Sequence, residues 1–268
     1  MNVHPTAIVA AGAQISEGVE IGPYCIVGAG VTLGRNVRLR SHVVIEGDTV
    51  LDDDCEVYPF AVLGGPPQHS AHEPGAASRL VIGARNVFRE HATIHGGSVV
   101  GRCVTTIGDD CQFYVGAHVG HDCVVGDHVV MTNNATLGGH VRLEDHVIMG
   151  GLSAVQQRGR VGRHAFIGGM AGVVCDVIPF GMVWGSHAKL EGLNLVGLKR
   201  RGFAREEINA LRAGYRALFN GHGLFSERIE EAAKAFAHSP HVMEIIAFIQ
   251  AEPTRPLTLP PGDAARES

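Results

Sequence analysis

Residues 113–126 read FYVGAHVGHDCVVG, in which Phe113, Val119 and Val125 fall six residues apart with three polar side chains, His118, His121 and Asp122, set among them. A beat of six fits no helical face, whose residues recur every 3.6, but it fits a short strand followed by a corner. The beat extends in both directions. An apolar residue recurs every six from Val3 through Leu63, again at Ile82, Phe88 and Ile94, and then from Ile107 through Val173, making 26 positions without a polar or charged exception. Repetition on that scale is the signature of a stacked architecture. Three six-residue sides close a triangular coil whose apolar residues fill the centre, and successive coils pair as parallel strands about 4.8 Å apart. The expected fold is therefore a β-solenoid, a parallel β-helix. The period alone leaves its hand open, and the ordinary crossover rule favours a right-handed coil.

Composition agrees with stacked, turn-rich structure. The chain of 268 residues carries 36 glycines, and its charged residues are only 18%. A formal charge of −5 gives no general attraction to nucleic acid or to anionic membranes. Six cysteines form no CxxC pair and no zinc-ligand spacing, so they read as buried thiols of a reducing, cytoplasmic compartment. The start, MNVHPTAIVA, lacks the basic region and apolar core of a secretory signal. The most apolar stretch, 169–185, is short for a membrane span and contains Asp176 and Pro179, which argues against membrane insertion.

Two interruptions of the beat, at 64–79 and 95–106, read as loops projecting from the prism. Loops on a rigid scaffold are expected to touch substrate. After Val173 the pattern changes. Residues 197–219 space Ile208, Leu211, Tyr215 and Leu218 as on a helix, further helices are expected over 226–237 and 240–251, and the proline-rich tail should be irregular. The expected division is a solenoid over 1–185 and a helical domain over 186–268.

Four stretches carry a resemblance that covers nearly the whole chain: TIH at 93–95, AHVGHDCVVG at 117–126, NNATLGGHV at 133–141 and GLKRRGF at 197–203. They resemble the hexapeptide-repeat acyltransferases, and among them the UDP-N-acetylglucosamine O-acyltransferases that open lipid A biosynthesis. The resemblance implies a left-handed β-helix. It also implies transfer of a hydroxyacyl chain from acyl carrier protein to the 3-hydroxyl of the sugar nucleotide, with His121 as general base. An imidazole, with an ordinary pKa near 6.5, suits that task at neutral pH. Asp122 would orient the ring, and the Gly139 N–H would hold the developing oxyanion. Asp122 and His140 are 18 residues apart, one full coil, and should stack on one side of the prism. By resemblance Gln68, His118, His140, Gln157, Asn194, Arg200 and Arg201 contact the sugar nucleotide, while Gly169 and Met170 border the acyl chain. Arg158, Arg160 and Arg163 add positive charge suited to an acidic carrier protein. A homotrimer is implied, with no cofactor and no metal.

Five positions depart from the family pattern. His69 and Ala71 replace an Asp and a Lys of the first loop, Gly96 an Arg, Gln156 a His and Val196 a Glu. All five bear on substrate recognition. They leave open a different acceptor, such as a 3-amino sugar nucleotide, or a non-catalytic scaffold that binds sugar nucleotides. A zinc β-helix enzyme is the remaining rival, although no two histidines here have the five-residue spacing it requires.

Overall fold

The computed structural model describes residues 2–251 and 255–262; part of the tail expected to be irregular lies outside them. Among the described residues the strands form three sheets of 11, 9 and 8 members, assembled from every third strand of the chain except at the end of the largest, where Gly181–Trp184 and Lys189–Leu193 are consecutive. Every strand pair is parallel except the last, Gly181–Trp184 with Lys189–Leu193. Register follows the beat: Val119 lies between Ile94 and Leu137, and Phe88 between Val57 and Phe113. This is the expected parallel β-helix.

The inward ladder is the core. From Ile21 to Val173 every beat residue is buried. Val3, Val9 and Ile15 are only half-buried, because no coil lies beneath the first one. Two residues before the beat stands a second inward position that accepts small side chains, and Cys25, Cys55, Cys111 and Cys123 occupy it. Burial pushes the thiols of Cys55, Cys111 and Cys123 up to about 12, which leaves them chemically inert. All six cysteines are free.

Corners explain the many histidines. Among the described residues, 19 non-glycine positions adopt positive φ, and 11 of these are Asn, Asp or His. Those side chains enter the left-handed region more readily than most. On one edge of the prism the corner rings of His128, His146 and His164 stack at 4.7 and 4.6 Å, each pair 5° from parallel, and Phe180 continues the column.

The two loops run from strand Val62–Gly65 to Arg79–Ile82 and from Thr93–His95 to Val104–Ile107, so the strands on either side keep the register. Strand Lys189–Leu193 continues the first sheet beyond residue 185, where the helical region was expected to begin. Four helices follow: α1 (Leu195–Arg200), α2 (Arg205–Phe219), α3 (Phe225–Ala235) and α4 (Pro240–Gln250). The single helix expected over 197–219 is broken at Arg201–Ala204. Arg201 caps α1 by returning its N–H to the Gly197 and Leu198 carbonyls, and Glu207 accepts the Ala204 N–H at 2.7 Å to open α2. The helices join the solenoid core through Leu198, Leu211, Leu218 and Ile245, and Arg160 lies over the Phe248 ring at 4.5 Å.

Leu137→Ala is expected to cost about 2–5 kcal/mol through the cavity it opens, whereas Leu152→Ala, at an exposed corner, should stay within about 0.5 kcal/mol; thermal or denaturant unfolding of both variants checks the contrast. His164 is buried, and desolvation together with His146 and Arg201 lowers its pKa to about 3. An unfolded chain takes up that proton near pH 6.5, so the stability tied to neutral His164 is complete above that pH and is lost as pH falls toward about 3. His164→Phe, matching the residue found at the equivalent corner by Phe180, should lose less melting temperature between pH 7.5 and 5 than the wild type.

Candidate active site

The corner between strands His118–Val119 and Val124–Val125 holds the two central groups. Asp122 turns the chain with φ 60°, its N–H donated to Thr105 Oγ1 at 2.8 Å. His121 and Asp122 are 7% and 2% exposed, so both have left water. His121 Nδ1 lies 2.7 Å from Asp122 Oδ2. A carboxylate oxygen can only accept here, so Nδ1 carries the proton and Nε2 presents its lone pair. Burial works against a charged Asp122. Hydrogen bonds from Ser98, from His121 and from the backbone N–H groups of Ser98 and Arg102 outweigh it and hold the carboxyl below its ordinary range.

Space is kept open at Nε2. A Cβ added to Gly139 would stand 2.6 Å from that nitrogen, so any side chain at 139 would occupy the reaction volume. Among the described residues no group accepts the Gly139 N–H. The next coil brings His140 alongside: its N–H donates to the His121 carbonyl at 2.8 Å, and its ring stands edge-on to His121 with centroids 5.0 Å apart. Burial lowers the His140 pKa, with Arg158 and His121 adding to the effect and Asp122 opposing it. From the first loop His69 also stands edge-on to His121, at 5.4 Å and 86°. The ligating atoms of His121, Asp122 and His140 lie within 4.8 Å of one another. The 2.7 Å bond between the first two fixes the orientation of the His121 ring.

A polar strip borders this corner. His118 Nδ1 bonds Thr93 Oγ1 at 2.8 Å, and burial, with His95 nearby, lowers the His118 pKa. His95 Nδ1 donates to the Pro66 carbonyl at 2.6 Å, tying the root of the first loop to the prism. Beside Asp122 and His140 a cavity of about 470 Å³ is lined by Arg102, Arg142, Arg158 and Arg160.

Known proteins similar to this chain share both halves of the molecule. A family model described as bacterial transferase hexapeptide (six repeats) matches residues 1–35 and 104–139, and one described as UDP N-acetylglucosamine O-acyltransferase, domain 2, matches 176–258. The acyl-[acyl-carrier-protein]–UDP-N-acetylglucosamine O-acyltransferase of Caulobacter vibrioides is 57% identical over 260 residues, spanning 97% of this chain and 98% of its own length. The chain belongs to the UDP-N-acetylglucosamine O-acyltransferase family. The crystal structure of the Francisella novicida UDP-N-acetylglucosamine acyltransferase superposes with a TM-score of 0.92 at 34% identity, over 98% of this chain and 96% of that one. That of the Moraxella catarrhalis UDP-N-acetylglucosamine O-acyltransferase gives 0.92 at 38% identity, over 96% and 100%.

For a member of this acyltransferase family, the residues singled out in the sequence fall on three different edges of the prism. His121, Asp122, Gly139 and His140 come together, with Asp122 and His140 stacked as expected; His118 stands on the strand leading into their corner, and Gln157 is exposed one coil further on, its carbonyl bonded by Arg255 at 2.7 Å. Gln68 is exposed on the first loop. Asn194 lies elsewhere. Its side chain is spent within the fold, accepting the Gly197 N–H at 3.0 Å and donating to the His164 carbonyl at 2.9 Å, beside the histidine column. Arg201 donates to the His146 carbonyl at 3.0 Å on the same edge, and Arg200 is exposed next to it. Gly169 and Met170 form the third edge, where Met170 is 73% exposed. The arginine patch also differs from expectation. Arg163 is ion-paired with Glu244 and Arg160 with Asp176 at 2.6 Å, while Arg102 and Arg142 join Arg158 at the cavity.

Sequence reasoning passed over Ser98 and saw in His69 only a departure. Both reach the site through loops, and neither follows the six-residue beat. Gly139→Ala keeps the backbone N–H but sets a methyl 2.6 Å from His121 Nε2, so it should lower turnover by about 10²-fold by displacing the imidazole; turnover assays alongside thermal unfolding test it.

Proposed function

We propose that the protein transfers a 3-hydroxyacyl chain from acyl carrier protein to the 3-hydroxyl of UDP-N-acetylglucosamine, the first step of lipid A biosynthesis. The observation that carries this reading is the buried His121–Asp122 pair with Nε2 open against the Gly139 backbone. Asp122 holds Nδ1–H, so Nε2 takes the proton of the sugar hydroxyl as its oxygen attacks the thioester carbonyl. The carbonyl oxygen becomes an oxyanion and is met by the Gly139 N–H. Collapse breaks the C–S bond, and the imidazolium returns its proton to the departing thiolate. His118 and His140, kept neutral by burial, offer hydrogen bonds to the sugar without adding charge. The arginines beside the base face the acidic carrier.

The working form is a homotrimer of left-handed coils, in which the prism runs through strand Lys189–Leu193 and the helices pack onto its core. The separation of the site residues onto three edges supports this. Asn194, Arg200 and Arg201 stand on a different edge from His121 within one chain, and a neighbouring copy presents that edge to the base. Gly169 and Met170 border the acyl chain in the same cleft. Six free cysteines, four of them buried and Cys103 and Cys175 only half-buried rather than buried as expected, suit a cytoplasmic protein. A second acceptor, a 3-amino sugar nucleotide, is favoured by one observation: His69, at a position where the family carries an Asp, lies against the base itself.

Mass spectrometry of products from hydroxyacyl carrier proteins with UDP-N-acetylglucosamine and its 3-amino analogue decides between the acceptors. Ester from the ordinary sugar is expected, and His121→Ala should lower its rate by about 10²- to 10⁴-fold. Amide product alone would replace the acceptor, and no product from either would remove the catalytic reading. Light scattering should give three times the chain mass; a monomer would overturn the assembly.

A further inference from the structure

We propose that Ser98 is a positioning residue for acyl transfer: the second loop folds inward over Asp122 and shares its carboxylate, so that the carboxylate that aligns His121 is itself held from behind. The inference rests on the acyl-transfer reading above.

The loop makes this contact with its backbone as well as its side chain. Ser98 is 1% exposed. Its N–H reaches both Asp122 oxygens, at 3.1 and 3.0 Å, and its hydroxyl donates to Oδ2 at 2.5 Å. The Arg102 N–H adds a bond to Oδ1 at 2.7 Å. The Gly101 and Cys103 N–H groups close on the Ser98 carbonyl at 3.0 Å each, so the loop is a turn built around the carboxylate. It approaches so closely that a Cβ on Gly101 would lie 2.4 Å from the Asp122 carboxyl carbon. The loop expected to touch substrate thus holds the group behind the base.

Oδ2 is the atom that matters, because it accepts from Ser98 Oγ and from His121 Nδ1 at once. A carboxylate facing imidazole alone stabilises imidazolium and raises its pKa. A second donor on the same oxygen draws off part of that charge and also fixes the carboxylate rotamer, as outer partners do for liganding histidines. Removing the Ser98 hydroxyl therefore has two consequences. His121 keeps its proton to higher pH, and its ring is held less firmly. The other ionisable groups facing His121 are His140 from the next coil and His69 from the first loop, with Arg158 beside His140.

The test compares Ser98→Ala and Ser98→Thr with the wild type in pH profiles of kcat/KM, and titrates the His121 ring by NMR in all three. For Ser98→Ala the acid limb and the ring titration should both move up by about half a pH unit or more, plateau kcat should fall several-fold, and KM for the sugar nucleotide should stay within twofold. Ser98→Thr should restore both. An unmoved His121 titration in a folded Ser98→Ala would overturn the proposal. So would a loss of kcat equal at every pH and unrelieved by threonine, which marks a purely structural role. The ring titration needs no turnover, so an inactive wild type would sink the acyl-transfer reading while leaving this result readable.

Discussion

No coil of this molecule has a core of its own. Each turn of the triangle offers a few inward side chains, and only the coils above and below can cover them. The half-exposed Val3, Val9 and Ile15 of the first coil show the condition of an uncovered turn. A slip of one residue would turn the ladder outward, which is why both loops leave and rejoin without disturbing the pairs Leu63 with Ile94 and Ile82 with Ile107. The same register sets Asp122 against His140.

Chemistry sits at the corners because the sides are already committed. Inward residues are packed and strand backbones are hydrogen-bonded, so polar side chains gather where the chain turns. The corner backbone asks for positive φ, and short polar residues and histidine accept it. On one edge that requirement yields a stack of imidazoles, His128 to His164. On another, Asp122 and His140, with φ of 60° and 62°, are supplied with loops that turn a structural preference into a reactive pair. The first loop sets His69 against His121, and the second encloses Asp122.

Burial divides the labour among these groups. Asp122 stays ionised although desolvation opposes it, because several donors converge on it. At His118 and His140 burial prevails, opposed at His140 only by Asp122, and both rings are biased toward the neutral form. The corner thus carries one carboxylate of fixed charge behind His121, with rings biased toward neutrality around it.

The sequence by itself determined the parallel solenoid, its inward residues, the helical end and the pairing of Asp122 with His140, because each follows from a short pattern repeated along the chain. The family motif also singled out His121 and Gly139. What it left undetermined is everything set by contacts between distant segments. Ser98 meets Asp122 only because a loop folds back on the next coil, and Asn194 and Arg201 stand on another edge because the coil has three. The break between α1 and α2 likewise follows from capping at Arg201 and Ala204 rather than from the helical spacing of 197–219. Periodicity records which face a residue turns inward; only closure of the coil decides which outward residues meet.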